Sequence, residues 1–173
     1  MLRKRLSIWT ESVLSEYNVP GNIISALTAL KSELCSLPLT QNNYGLIHYD
    51  FELDNVFYDK ETKNCAVIDF DDSMYHWYAL DIEQVFDSLE DKLSGEALKT
   101  AKNEFIRGYK EEHCYTEEMN ASRRLMRRFI NLYGYARMIR CVAEKFTDEP
   151  EWMTELRGKL DKAILEKERS ILK

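Results

Sequence analysis

Four polar residues between positions 48 and 69 have types and a spacing that could do chemistry. His48, Asp50 and Asn55 follow the pattern H-x-D-x-x-x-x-N, and Asp69 comes directly after the apolar run CAVI. A loop between two strands can hold Asp50 at its start and Asn55 at its end. A hairpin would then return the next strand, so that Asp69 lies beside Asn55.

This arrangement predicts a division of chemical roles. The oxygen atoms of Asn55 and Asp69 suit Mg²⁺, which takes few protein ligands and fills its octahedron with phosphate and water. Asp50 is then left free to accept a proton from an attacking hydroxyl group. A base that orients the nucleophile, beside residues that hold a metal against phosphate charge, is the arrangement of phosphoryl transfer.

Short strands are predicted to carry this loop, with helices before and after it. The segments GLIHY, NVFYD and NCAVIDF are rich in β-branched and aromatic residues, and DKETKN is a plausible hairpin turn between the last two. Helical periodicity predicts one helix over residues 4–17 and a second that ends before Pro38. After residue 80 the same period predicts four more helices. The predicted fold class is α+β, mostly helical, with a small β-hairpin insert.

The last predicted helix begins after a capping signal. Thr147 or Asp148 is expected to cap it, with Pro150 in its first turn. The residues predicted to form its buried face are Trp152, Leu156, Leu160 and Ile164.

Composition and charge limit the classes of function. The chain has 173 residues, enough for one domain with a core, so residues 1–173 are predicted to form a single domain. The net charge of -6 disfavours nucleic-acid binding. The basic stretch RRLMRRF, residues 123–129, is interpreted as a solvated or salt-bridged helix face rather than a phosphate-binding patch.

No feature of the sequence predicts a membrane protein or a secreted one. No apolar run has the length needed to span a membrane, and the amino-terminal residues lack the pattern of a signal peptide. The four cysteines form no CxxC pair and are expected to be reduced, buried thiols of a cytoplasmic protein.

Other polar and aromatic residues have alternatives that the sequence leaves open. The aromatic cluster Tyr75, Trp77 and Tyr78 is expected to pack in the core, with a wall for a cationic acceptor as the alternative. His76 and His113 are expected at the surface or at caps. The acids Glu83, Asp87, Glu90 and Asp91 are expected to form a solvated helix face, with an acceptor site for an amine as the alternative.

The segment LIHYDFELDNVFYDKETKNCAVIDFDD, residues 46–72, resembles the catalytic segment of the aminoglycoside phosphotransferase superfamily. These small-molecule kinases have a protein-kinase-like fold and include choline, homoserine and fructosamine kinases. The resemblance implies that Asp50 is the catalytic base and that Asn55 and Asp69 are metal ligands. It also implies that His48 supports the catalytic loop rather than reacting.

The same resemblance extends to neighbouring positions. It implies that Phe57 and Ile68 line the floor of the adenine pocket for ATP. Asp71 stands where protein kinases have the glycine of D-F-G, and we prefer it to Asp72 as a further metal or acceptor contact. Asp81, in YALDIEQVF, is similar to the acid of a family motif and is expected to be a structural acid at a helix start.

Besides Asp71, the chain departs from the family pattern in two further ways. Tyr49 stands where the family usually has glycine, so either the backbone is more restricted there or the side chain fills substrate space. No Gly-rich loop and no strand with a V-A-I-K-like lysine precedes the catalytic segment, residues 45–72. The expectation is therefore a carboxy-terminal lobe alone, with a helical subdomain over 80–173 and the amino-terminal nucleotide lobe absent.

The sequence therefore predicts an ATP- and magnesium-dependent kinase of a small hydroxyl-bearing molecule, present as its catalytic lobe. The isolated chain is expected to be inactive without the amino-terminal lobe. The alternative is a non-catalytic, pseudokinase-like module that binds a partner or self-associates through an exposed apolar cleft. A third hypothesis is a magnesium-dependent hydrolase built on the same acids.

Overall fold

A computed structural model describes the backbone of residues 3–145 and 147–172 and, within those ranges, the side chains from residue 9 onward. Helices dominate it. The six helices of the described residues are α1 (Arg3–Glu16), α2 (Gly21–Ser36), α3 (Ala79–Lys92), α4 (Gly95–Glu112), α5 (Glu117–Ala143) and α6 (Glu151–Ile171). Between α2 and α3 lie β1 (Tyr44–Ile47), a 3-10 turn (Leu53–Asn55), β2 (Val56–Tyr58), β3 (Cys65–Val67) and β4 (Met74–Trp77).

The strands form two small antiparallel sheets. β2 pairs with β3, with Val56 opposite Val67, so the hairpin predicted around DKETKN is confirmed. Asp59 closes its turn, because its side chain accepts the backbone N–H of Glu61 at 2.8 Å. β1 pairs with β4, a strand that the sequence did not predict.

The chain divides into two compact units, one of Met1–Leu37 and Arg128–Lys173 and one of Pro38–Arg127. The second unit contains the four strands of the described residues and all the predicted site residues. Its central element is α3, in which nine of 14 residues are buried. The apolar residues of α3 recur at three- and four-residue steps, which gives the helix one continuous core face. The buried core of this unit consists of Ile82, Val85, Phe86, Leu89 and Met119.

The first unit has its own core from α1, α2 and the second half of α5. Trp9 packs against Tyr133 with ring centres 5.1 Å apart, and Tyr133 stacks on Phe129 at 5.5 Å. An ion pair joins α2 to α5, because Arg128 donates to Glu33 at 2.7 Å. The buried apolar residues of this unit are Val13, Leu14, Ile23, Leu27, Leu30, Phe129, Leu132, Tyr135 and Ala136.

The predicted buried face of the last helix is wrong. Trp152 is 60% exposed, Leu156 is 42% exposed, and no residue of α6 is buried. Leu160 and Ile164 are only partly covered. The period of the apolar residues predicts which side chains share a face, but it does not reveal whether another element covers that face. Pro150 precedes α6 at the N-cap position instead of lying in its first turn.

Two other expectations concern the whole chain. The prediction of buried cysteines is wrong, since all four are free but exposed. Some of them lie at the ends of elements, for example Cys35 in the last turn of α2 and Cys65 at the start of β3. Within the described ranges, every helix is too short or too polar to cross a membrane.

Candidate active site

His48 links the predicted catalytic loop, residues 48–55, to the end of the β2–β3 hairpin. Its ring Nε2 lies 2.8 Å from the carbonyl oxygen of Ile68, and the ring is buried. Phe70 packs on it with ring centres 4.5 Å apart, and Phe51 lies on it at 5.7 Å. The buried Nδ1 has no hydrogen-bond partner among the described residues. These contacts favour a supporting role for His48, as the resemblance implied.

Asp81 holds the start of the catalytic loop on α3. Its two carboxylate oxygens accept the backbone N–H groups of His48 at 2.8 Å and Tyr49 at 2.9 Å. Burial raises the pKa of the Asp81 carboxyl above its ordinary value, while the two N–H donors act in the opposite direction. Asp81 lies in the first turn of α3, the structural position predicted for it.

Tyr49 adopts a backbone conformation that glycine favours. Its φ is 71°, in the left-handed region, and its side chain is only 5% exposed. For a residue with a Cβ this conformation costs about 1–2 kcal/mol. The strain persists because Asp81 holds the N–H of Tyr49 and because its ring is buried. Its side chain therefore packs inside the protein and does not line an open substrate space.

Asp50 and Asn55 are joined directly. Asn55 Nδ2 donates to the Asp50 carbonyl oxygen at 2.8 Å and to Asp50 Oδ2 at 3.1 Å. The turn between them is held by the N–H of Glu52, which donates to the Asp50 carbonyl at 3.0 Å. Since the Asn55 amide nitrogen faces Asp50, the amide oxygen faces away from it. That oxygen is a hard ligand of the kind that Mg²⁺ binds.

The hairpin brings the residue before Asp69 beside Asn55. The N–H of Ile68 donates to the Asn55 carbonyl at 3.1 Å, one step beyond the β2–β3 ladder. Asp69 follows with a φ of 64°, and both Asp69 and Asp71 are exposed. The described residues contain no group of three or more His, Cys, Asp and Glu placed to hold a metal. The predicted ligands Asn55, Asp69 and Asp71 would supply one amide and two carboxylates. Such a set suits a cation that completes its coordination shell with phosphate and water.

Phe57 and Ile68 form an exposed apolar surface on the hairpin. Phe57 is opposite Ala66, and Ile68 follows Ala66 by two residues, so the two side chains share one face. They are 57% and 47% exposed. Large apolar side chains at this exposure can cover a flat apolar ligand.

Ser88 is a supporting residue that sequence reasoning missed. Its buried hydroxyl accepts the backbone N–H of Leu53, the first residue of the 3-10 turn, at 3.1 Å. Ser88 is seven residues after Asp81 and therefore on the same face of α3, about 10 Å further along the axis. No sequence signal distinguishes this serine from any other in an apolar helix.

Glu52 is a second residue that the sequence did not single out. Its pKa is raised above the ordinary value, first by burial and then by the carboxylates of Asp50, Asp87 and Asp54. Several carboxylates thus surround the loop, and their combined field attracts a cation.

The acidic face of α3 is neutralised by arginines of α5. Glu83 is buried and receives hydrogen bonds from Arg123 at 2.9 Å and Arg127 at 2.5 Å, and Arg127 also binds Asp87. The predicted solvated face is therefore wrong at Glu83. The interpretation of residues 123–129 as a salt-bridged helix face is confirmed.

The aromatic cluster and His76 lie on or next to β4. Trp77 is buried, and its indole N–H donates to the carbonyl of Pro38 at 3.1 Å, which confirms core packing there. Tyr75, two residues earlier in β4, is 49% exposed, so the expected core packing does not extend to it. The surface position expected for His76 is wrong. It is buried, and burial lowers its pKa to about 3.

The comparisons agree with this geometry. A model of a phosphotransferase enzyme family matches residues 8–130. An amicoumacin kinase, solved in complex with AMP-PNP, Ca²⁺ and Ami, superposes with a TM-score of 0.61 at 20% identity. The alignment covers 86% of this chain and 46% of that kinase, so the chain spans about half of its length. No curated protein matches the sequence.

The structural likeness confirms the predicted kinase-like fold, which is mostly helical with small antiparallel sheets. Because the alignment covers only part of the amicoumacin kinase, it is consistent with a carboxy-terminal lobe. The family match covers the catalytic loop, the hairpin and α3 together. The chain belongs to the phosphotransferase enzyme family of the aminoglycoside phosphotransferases.

Proposed function

We propose that the chain is the catalytic carboxy-terminal lobe of a cytoplasmic, ATP-dependent phosphotransferase that acts on a hydroxyl group of a small molecule. Family membership supports phosphoryl transfer. The similar amicoumacin kinase was solved with a nucleotide analogue and a divalent cation, which supports ATP and a metal as cofactors. The acceptor is unspecified.

The contact between Asn55 and Asp50 carries the proposal. Asn55 Nδ2 binds Oδ2 of Asp50, and this hydrogen bond orients the carboxylate. Asp50 is only partly buried, so an acceptor hydroxyl can reach its other oxygen. Asp50 would then orient that hydroxyl and take its proton as the oxygen attacks the terminal phosphate.

Asn55 and Asp69, with Asp71 as a further contact, would hold Mg²⁺. The Asn55 amide oxygen faces away from Asp50, and the Asp69 carboxylate follows the hairpin strand that is bonded to Asn55. When bound, the metal would neutralise charge on the phosphates. Hydrogen bonds of the loop and the hairpin fix the backbone of both ligands before any metal arrives.

The nucleotide would lie on the hairpin. Phe57 and Ile68 offer an exposed apolar surface for the adenine ring on the hairpin that ends in Asp69. The described residues before β1 form α1 and α2 and supply no glycine-rich loop to cover phosphates. We infer that a β-rich amino-terminal lobe completes the pocket and that this chain alone does not turn over substrate.

A binding module without catalysis is the alternative. It is favoured by several large apolar side chains around the loop that are about half exposed or more. These are Leu46, Phe57, Ile68, Phe70 and Tyr75. Such a surface suits a second lobe, a partner or a second copy of the chain.

Calorimetric titration of the chain with ATP, with and without Mg²⁺, tests the proposal. We expect magnesium-dependent binding that Asp69→Asn abolishes. Asp161→Asn on α6 removes the same charge outside the site and should bind like the parent chain. If the parent chain binds no Mg-ATP, or if Asp69→Asn binds it equally well, the nucleotide site is contradicted and the binding-module alternative gains.

A further inference from the structure

A groove of about 710 Å³ lies in the second unit, and none of the proposed active-site residues lines it. It has the size of pockets that bind small molecules. Its floor is apolar and is formed by Phe86, Leu98, Ile106 and Tyr115. Phe86 comes from α3, while Leu98 and Ile106 come from α4.

The rim of this groove is cationic. None of its lining residues is Asp or Glu, although the chain as a whole has a net charge of -6. Carboxylates beside the lining pair with four of its five cations, Arg107 with Glu104 among them, so only a cation that is unpaired or weakly paired attracts an anion there. The basic residues of the rim are Lys99, Lys102, Arg107, Lys110 and Arg123.

Two of these cations are fixed in place by acids and by the floor. Lys102 Nζ lies 2.5 Å from Glu90, and Arg123 Nε lies 2.9 Å from Glu83. The same two groups lie over the ring of Phe86, with the Arg123 guanidinium at 4.1 Å and the Lys102 amine at 4.9 Å. Because they are already ordered, they lose little side-chain entropy when a ligand binds.

Two other cations are available to a ligand. Lys110 Nζ lies 5.8 Å from the centre of the Tyr115 ring and has no carboxylate partner in the described part of the chain. Lys99 contacts Glu96 at 3.7 Å, but both side chains are more than two-thirds exposed. A pair of this kind contributes little free energy, so the Lys99 amine can turn to another anion.

We propose that the groove binds a small organic anion, a carboxylate or phosphate attached to an apolar or aromatic body. The body would cover Leu98 and Ile106, and the anionic group would contact Lys99 and Lys110. An inorganic anion would leave the apolar floor uncovered, and a neutral apolar molecule would leave both amines unpaired. This site is independent of the proposed phosphotransferase function.

Nuclear magnetic resonance titration of the ¹⁵N-labelled chain tests the site. The probes are 1-naphthyl phosphate, 1-naphthoate and the neutral 1-naphthol. We expect saturable shifts at amides of residues 98–110 and at least tenfold tighter binding of both anions than of 1-naphthol. Lys99→Gln with Lys110→Gln should weaken both anions at least fivefold and leave 1-naphthol unchanged. The matched control, Lys162→Gln on α6, should bind all three like the parent chain.

Other results would contradict the groove site. These are equal affinity for the anions and 1-naphthol, or unchanged anion binding in the double variant. Shifts confined to amides of residues 55–71, with none at residues 98–110, would assign the probe to the proposed active site instead. Far-ultraviolet circular dichroism verifies the fold of the double variant. Should that variant unfold, Lys99→Gln alone repeats the test at an exposed position, with at least a twofold loss expected.

Discussion

The hydroxyl oxygen of Ser88 lies 3.1 Å from the backbone nitrogen of Leu53 and accepts its hydrogen bond. Two turns earlier on α3, Asp81 holds the other end of the same loop through two backbone N–H groups. One buried helix thus fixes both ends of the loop that carries Asp50. Since nine of the 14 residues of α3 are buried, the loop rests on a helix that is itself held in the core.

Ser88→Ala should destabilise the unit that contains the loop. The variant loses one hydrogen bond, and the expected loss of unfolding free energy is about 0.5–1.5 kcal/mol. Urea unfolding measures it. Ser170→Ala is a matched control, because that exposed hydroxyl bonds only to a carbonyl of its own helix. Equal stability of the two variants would show that the contact with Leu53 contributes nothing.

Gly45→Ala should be strongly unfavourable. A Cβ at this position would overlap Tyr78 Oη and would lie 2.9 Å from two carbons of the same ring. The Tyr78 ring packs against the core of α3 and against His113, so it cannot move freely. Overpacking of this kind costs about 1–3 kcal/mol.

Gly108→Ala is the control for that substitution. Gly108 lies within α4, and a methyl group added there would have no neighbouring atom within 4 Å. Alanine there should leave stability unchanged or raise it by up to about 1 kcal/mol through helix propensity. Thermal unfolding of both variants compares them, and a Gly45→Ala protein as stable as its parent would contradict the close approach of Tyr78.

Stability should fall as the pH is lowered, in part through His76. Burial lowers its pKa to about 3 in the folded chain, from an ordinary value of 6.5. Between these values the unfolded chain binds the proton and the folded chain does not, so stability is full above about pH 6.5 and declines below it. The contribution lost by pH 5 is about 2 kcal/mol.

His76→Gln tests the assignment of that pH dependence. Urea unfolding at pH 7 and pH 5 should show a smaller difference in this variant than in the parent chain. His113→Gln, at a less buried position, should keep the parent's difference. If the unfolding free energy of His76→Gln falls as much between pH 7 and pH 5 as that of the parent chain, groups other than His76 cause the pH dependence.

Asp50→Asn should remove phosphoryl transfer and leave nucleotide binding nearly intact. The amide cannot accept the hydroxyl proton, and loss of a general base lowers turnover by about 10²–10⁴-fold. The variant is measured in the complete enzyme inferred above, with the proposed amino-terminal lobe present, by product formation at saturating Mg-ATP. Full turnover of Asp50→Asn would contradict the role of Asp50 as base.

Local signals in the sequence predicted the loop and the hairpin well. The turn after Tyr58 is marked by its own polar residues, and the spacing of Asp50, Asn55 and Asp69 lies within one short segment. Contacts between distant residues were missed. β4 is a four-residue aromatic run whose partner is β1, about 30 residues away, and its pairing has no local signal.

The helices also show that a local pattern does not reveal contacts between residues that are distant in sequence. The period of α3 and that of α6 predict an apolar face equally well, but nine residues of α3 are buried and none of α6 is. Glu83 looked like a solvated acid because its arginine partners lie 40 and 44 residues away. The positive φ of Tyr49 could be inferred only from the glycine at that position in the resembling family.

The most direct test of the proposed active site is paramagnetic broadening by Mn²⁺, a substitute for Mg²⁺, in the ¹⁵N-labelled chain with ATP present. We expect that amide signals of residues 55, 57 and 68–71 broaden at substoichiometric Mn²⁺, before those of α6, and that Asp69→Asn removes this selectivity. Broadening that begins at other acidic residues, or that Asp69→Asn leaves unchanged, would contradict the assignment of this loop and hairpin as the metal–nucleotide site.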